Sequence, residues 1–184
     1  MLIGASTGGP AHIEKILSRL PAPLPFSIVI AQHMGAEFLP SFVQRLRLKT
    51  SHDIVLAQEG MSLCSQRVYI TSNTTTLQLH NSLLHFSVQN SSTARFNPDI
   101  DALFTSFTQL SNLKNILAII LTGIGDDGIN GCIALASRGV RCLAESQKTA
   151  IVYGMPARAK EQVSGVAVLD LYEIIEQIKK FGGV

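Results

Sequence analysis

The chain is poor in charge. Only 15% of its 184 residues are Asp, Glu, Lys or Arg, and 15 basic against 13 acidic side chains leave a formal net charge of +2. So small and dispersed an excess gives no electrostatic hold on a nucleic acid or an acidic membrane. The adjacent pair Lys179-Lys180 falls where a helix is expected to end and reads as favourable charge on its last turn. Cysteine is scarce too. Cys64, Cys132 and Cys142 form no CxxC and no cluster with histidine, which argues against a metal site and fits reduced thiols in a cytosol. The longest apolar run, Ile116 to Leu121, is far below the roughly 18 residues a membrane helix needs. No leader of charged, then apolar, then small residues opens the sequence, so no signal peptide is expected. Repeats, low-complexity tracts and interdomain linkers are also absent from the sequence. With 46% apolar residues, the expectation is a soluble, cytoplasmic protein with a single domain over residues 1–184.

What is present is a succession of apolar runs that end in small or polar residues and give way to helical periodicity, the mark of βα units on a buried parallel sheet. Leu2-Ile3 begins a strand that enters Gly4-Ala-Ser-Thr-Gly-Gly9, and Pro10 suits the first residue of a helix to Leu20. Phe26–Ala31 is a second strand, followed by Gln32-His33-Met34. A helix over 39–48 and short strands near 54–57 and 68–71 come next. Residues 76–80 and 84–88 alternate apolar and polar around Asn81-Ser82 and predict an antiparallel hairpin at the sheet's edge. Asp99 or Asp101 starts a helix through about Ser111. Ile116–Leu121 is the most central strand by composition, and Gly123-Ile-Gly-Asp-Asp-Gly128 is a loop before a helix to Arg138. Strands at 140–144 and 165–169 follow. Asp170, with Glu173 three residues on, has the form of a reciprocal cap on a last helix to about Phe181. The fold class is α/β: a doubly wound, mostly parallel sheet flanked by helices.

Open α/β sheets bind ligands beyond the carboxyl ends of their strands. Three candidates stand there: Ser6 after the first strand, His33 after the second, and Asp126-Asp127 after the central one. Serine, histidine and carboxylate are the composition of a nucleophile, its base and the base's orienter. Gly4-Ala-Ser-Thr-Gly8 fits G-x-S-x-G between a strand and a helix, whose N-terminal N–H groups could stabilise an oxyanion. Each candidate has a blander alternative. The Gly4–Gly9 loop by itself fits a hydrolase, a nucleotide or anion binder, and a structural turn equally, although G-K-[ST], G-x-G-x-x-G and a ribose-binding acid are missing. His33 could cap its strand, and Asp126 or Asp127 could cap the following helix. His12, His52, His80 and His85 are expected to be exposed. The order Ser, His, Asp differs from the Ser, acid, His of α/β-hydrolases, so a triad here would belong to another fold.

Taken together, Ile3-Gly-Ala-Ser-Thr-Gly-Gly-Pro10, Ile30-Ala-Gln-His-Met34, Asn97-Pro-Asp-Ile-Asp-Ala-Leu-Phe104, Leu121-Thr-Gly-Ile-Gly-Asp-Asp-Gly128 and Val152-Tyr-Gly-Met-Pro-Ala157 resemble the catalytic domain of the chemotaxis protein-glutamate methylesterases, the CheB family. The five segments fall in family order and cover nearly the whole chain. The resemblance implies Ser6 as nucleophile, His33 as base and Asp127 as orienting acid, with Asp126 at a variable position. It implies backbone N–H groups of Thr7 and Ile124 as oxyanion donors. It implies hydrolysis of glutamyl methyl esters on the cytoplasmic helices of chemoreceptors to glutamate and methanol, with receptor glutamine deamidation as a related activity. No metal or organic cofactor, no nucleic acid, no membrane insertion and a monomer are expected. The alternative is a non-catalytic nucleotide- or anion-binding or receptor-docking module built on the Gly4–Gly9 loop.

The sequence departs from the family pattern in places. Ile124 stands where the family usually has Met, which a backbone donor survives. Thr71–Thr76 replaces a Pro-Gly turn with a histidine. Family members commonly carry an N-terminal phospho-receiver domain, for which this chain has no room; either a fragment or a protein outside that control is expected.

Overall fold

The computed structural model describes residues 1–89, 95–110 and 115–184. Seven strands make one sheet: β1 (Leu2–Ala5), β2 (Ile28–Gln32), β3 (Asp53–Leu56), β4 (Arg67–Ile70), β7 (Leu117–Ile120), β8 (Arg141–Glu145) and β9 (Ala167–Leu169). Their spatial order is β3-β4-β2-β1-β7-β8-β9, and every neighbouring pair runs parallel. The chain leaves β1 towards one edge and later returns beside it to build the other half. This double winding makes the β1–β7 boundary a switch point, where following loops diverge and leave a crevice. The most central strand is therefore β1, with the more apolar β7 directly beside it.

The near-continuous apolar runs are explained by burial on both faces. On one face Ile3, Ile28, Ile30, Leu117 and Ile119 pack with Ile13, Ile16 and Leu17 of α1 (Gly9–Leu17), Phe42 and Leu46 of α2 (Leu39–Lys49), and Ile174 and Ile178 of α6 (Leu171–Gly182). On the other, Leu2, Val29, Ala118 and Ile120 meet Ile100, Leu103 and Phe104 of α3 (Ile100–Ser106), Ile129 and Leu135 of α4 (Ile129–Ala136), and Met155 of α5 (Met155–Gln162).

Asp170 and Glu173 form the expected capping box of α6, and Lys179 and Lys180 occupy its last turn. α3 runs into a short 3₁₀ turn over Phe107–Leu110, and its expected end at Ser111 lies outside the described residues. α5 was not anticipated; only Met155, Pro156 and Ala159 of it are buried, too narrow a stripe to give a helical period. The hairpin, β5 (Thr74–His80) and β6 (Leu83–Gln89), turns through Asn81 and Ser82, both at positive φ. It forms a sheet of its own, held to α3 and the 3₁₀ turn after it, where Leu77 N–H donates to Ser106 Oγ (2.9 Å) and Gln109 Nε2 donates to the Leu77 carbonyl (2.8 Å).

The histidine expectation needs correction. His12 and His52 are buried, at 8% and 9% exposure, and His85 is half-buried. His52 Nε2 lies 2.9 Å from the Leu17 carbonyl, and His12 meets a carboxylate from β8. No described helix is long and apolar enough to cross a membrane.

Candidate active site

The parallel register places the first two candidates level. Ala5 pairs with Gln32 across β1 and β2, and the His33 N–H donates to the Ala5 carbonyl at 2.9 Å. Ser6 and His33 are therefore the next residues out on adjacent strands, whose spacing in a sheet is about 4.8 Å. On the other side, the Ser6 N–H donates to the Thr122 carbonyl at 3.0 Å, which ties the serine to the loop after β7. A Cβ on Gly123 would stand 2.6 Å from Ser6 Cβ and 2.4 Å from Met155 Sδ, so only glycine allows this approach.

That loop separates the two aspartates. Asp126 turns outward, 51% exposed and 3.4 Å from Arg95. Asp127 turns inward, 2% exposed, and its Oδ2 lies 2.7 Å from His33 Nε2. The same carboxylate accepts the Ile100 N–H on Oδ2 and the Asp101 N–H on Oδ1, both at 2.9 Å. These are orphan donors in the first turn of α3, so the helix's positive end faces the anion. Asp99 caps the same helix by accepting the Ala102 N–H at 2.8 Å. Asp127 thus does cap a helix, but α3 rather than the following α4. The position at which α4 starts, Gly128, has φ +87°, and a Cβ there would meet Ile100 at 2.6 Å. Burial pushes the neighbouring Asp101 carboxyl above its ordinary value, and hydrogen bonds from the Gly131 N–H and Asn130 amide oppose this.

His33 is further fixed by Phe96, whose ring stacks on the imidazole at 5.1 Å between centroids and 6° between planes. With Nε2 donating to Asp127, the ring's other nitrogen, Nδ1, is the one left as an acceptor. Among the described residues, no hydrogen bond joins Ser6 Oγ to His33; the structure joins His33 to Asp127 and brings Ser6 to the same rim.

Two peptide planes beside Ser6 are fixed by their carbonyls. The Ser6 carbonyl accepts Gln32 Nε2 at 2.9 Å and the Gly9 N–H at 2.8 Å. The Gly123 carbonyl accepts the Gly154 and Met155 N–H groups at 3.1 and 2.8 Å. In a trans peptide the N–H points opposite the carbonyl, so the Thr7 and Ile124 N–H groups face away from these partners. Neither has a hydrogen-bond acceptor among the described residues.

Several supports of the site escaped sequence reasoning. Gln32 carries no sequence signal beyond its place before His33, yet its buried amide also donates to the His33 carbonyl at 2.9 Å. Thr122 Oγ1 donates to the Thr7 carbonyl at 2.8 Å and accepts the Val152 N–H at 2.9 Å. Phe96 carried no signal beyond its place before Asn97.

A parallel, doubly wound α/β domain with a Ser, His and Asp constellation at its switch point defines a hydrolase-like class of site outside the α/β-hydrolase fold. Comparison with known proteins narrows this. Residues 1–178 match the family model described as CheB methylesterase, and the chain belongs to that family. It is 34% identical over 184 residues to the protein-glutamate methylesterase/protein-glutamine glutaminase 2 of Carboxydothermus hydrogenoformans, covering 97% of this chain and 52% of that protein. It is 38% identical over 157 residues to the protein of the same name from Nitratidesulfovibrio vulgaris, covering 84% of this chain and 42% of that one. The chain therefore spans about half the length of the curated relatives it matches. Among solved structures it is similar to the Thermotoga maritima CheB methylesterase catalytic domain, with a TM-score of 0.87 at 29% identity over 97% of this chain and 96% of that one.

Proposed function

We propose that this chain is a serine carboxyl-ester hydrolase acting on glutamyl methyl esters of chemoreceptor cytoplasmic helices. The observation that carries it is the His33–Asp127 pair, 2.7 Å apart, level with Ser6 and with its carboxylate buried. Ser6 Oγ attacks the ester carbonyl while His33 Nδ1 takes its proton. Asp127 holds Nε2–H and stabilises the positive charge that forms on the ring. The Thr7 and Ile124 N–H groups receive the negative oxygen of the tetrahedral intermediate. Its collapse breaks the bond to the methoxy group, which leaves as methanol with the proton from His33. Water, deprotonated by the same nitrogen, then attacks the acyl-enzyme and releases glutamate and Ser6. Use of Nδ1 for the serine and Nε2 for the acid is the reverse of the arrangement in chymotrypsin-like triads.

The names of the relatives pair methylesterase with glutaminase activity. The same acyl transfer with ammonia as leaving group deamidates a receptor glutamine, so both reactions belong to this site. The test is methanol release from radiolabelled methylated receptor membranes, with Ser6→Ala as control. Release that survives Ser6→Ala unchanged would end the proposal; saturable nucleotide binding with no fluorophosphonate labelling of Ser6 would favour a binding module on the Gly4–Gly9 loop.

A further inference from the structure

A second histidine–carboxylate pair, with both members buried, has no part in the mechanism above. His12, on α1, and Glu145, the last residue of β8, are 8% and 0% exposed. His12 Nδ1 stands 3.1 Å from each carboxylate oxygen. Glu145 Oε2 also accepts the Thr122 N–H at 2.9 Å, while Oε1 has no hydrogen bond of its own. A carboxylate in such surroundings is costly to bury and persists only when its partners hold it. The question is what that carboxylate holds in return.

The answer is Thr122, the residue at which three loops meet. Its carbonyl accepts the Ser6 N–H at 3.0 Å. Its hydroxyl donates to the Thr7 carbonyl and accepts the Val152 N–H. Its successor Gly123 donates its N–H to the Val152 carbonyl at 3.0 Å and presents its own carbonyl to Gly154 and Met155. The Thr122 amide, which lies just beyond the end of β7, is taken by the Glu145 side chain from the neighbouring strand β8. Resting on the hydrolase function proposed above, we propose that Glu145 and His12 are a positioning pair: they fix Thr122, and through it the Ser6 turn and the Gly123–Ile124 peptide, in reactive geometry. Neither side chain touches the reacting atoms. Their effect is on the distance between Ser6 Oγ and the two N–H groups that receive the oxyanion, to which turnover is far more sensitive than binding.

The experiment compares variants of the full chain by methanol release from methylated receptor membranes and by the rate of fluorophosphonate labelling of Ser6, with folding checked by circular dichroism. Glu145→Leu removes the acceptor and is expected to lower kcat by about 10- to 100-fold, with KM little changed and labelling slowed in step. Glu145→Gln keeps an oxygen at the same reach and is expected to retain kcat within about threefold, the scale of one altered hydrogen bond. His12→Ala, a change the helix tolerates, is expected to lower kcat by about five- to tenfold by freeing the carboxylate. If Glu145→Leu does not fold, the other two variants decide. Full kcat in folded Glu145→Leu or in His12→Ala overturns the positioning role, as does Glu145→Gln falling as far as Glu145→Leu. An unaltered chain that neither releases methanol nor labels at Ser6 overturns the hydrolase function itself, which is a separate result.

Discussion

Two histidine–carboxylate pairs lie near the carboxyl ends of the same sheet, alike in composition and in the exposure of their rings but not in what surrounds them. The rings are almost equally buried, 13% exposed in His33 and 10% in His12. Asp127 is met by two helix N–H groups as well as its histidine, so both of its oxygens are bonded. Glu145 has one backbone donor and its histidine, and one oxygen without a bond. His33 follows a strand whose neighbour is followed by a serine at the same level; His12 sits on a helix and reaches the junction only through Glu145. Pairing an imidazole with a carboxylate therefore does not itself make a catalytic base. What distinguishes the two pairs is the serine that the register of β1 and β2 sets level with His33.

Breaking the comparison begins with the outer pair. Ser6→Ala and His33→Ala should remove most methanol release, leaving at best a residual of about 10³–10⁴ over water. Asp127→Asn should follow, lowering kcat by about 10³- to 10⁴-fold, because an amide can present donors where His33 and α3 also donate. It should also destabilise the fold by about 1–3 kcal/mol in denaturant titrations, since helix N–H groups lose charged partners. Gly123→Ala should come next. The added methyl would overlap Ser6 and Met155, and a displacement of the serine on that scale costs about 10²-fold in turnover. Phe96→Ala releases one face of His33 and is expected to cost about 0.5–1.5 kcal/mol of barrier, read from kcat/KM. Asp126→Asn, which loses an exposed contact with Arg95, should change activity by less than about twofold. A loss at Asp126 larger than at Asp127 would reverse the assignment of the two acids.

The outer pair was legible in the sequence and the inner one was not, for a physical reason. Ser6, His33 and Asp127 each follow a strand, and strand ends are visible as places where apolar runs stop. Parallel order then brings the ends of β1, β2 and β7 to one rim without knowledge of any contact. The choice of Asp127 over Asp126 came from the family pattern, because two adjacent acids in a glycine-rich loop look alike until the backbone turns one inward. His12 looked exposed because a polar residue on a helix normally is; its burial depends on Glu145, 133 residues away. The α3 donors to Asp127 were hidden for the same reason, since a backbone N–H carries no residue signature. α5 was missed because the sheet and α4 cover so little of it that its apolar period is faint.

The attachment of Asp127 to α3 makes the site conditional on assembly. The carboxylate bonded to the His33 ring is also the anchor for the first turn of α3, so neither arrangement is complete until that helix has docked. A chain in which α3 has not docked should be inert rather than loosely reactive. For the hydrolase proposed above, a nucleophile that stays dormant until its surroundings close would act as a safeguard written into the architecture.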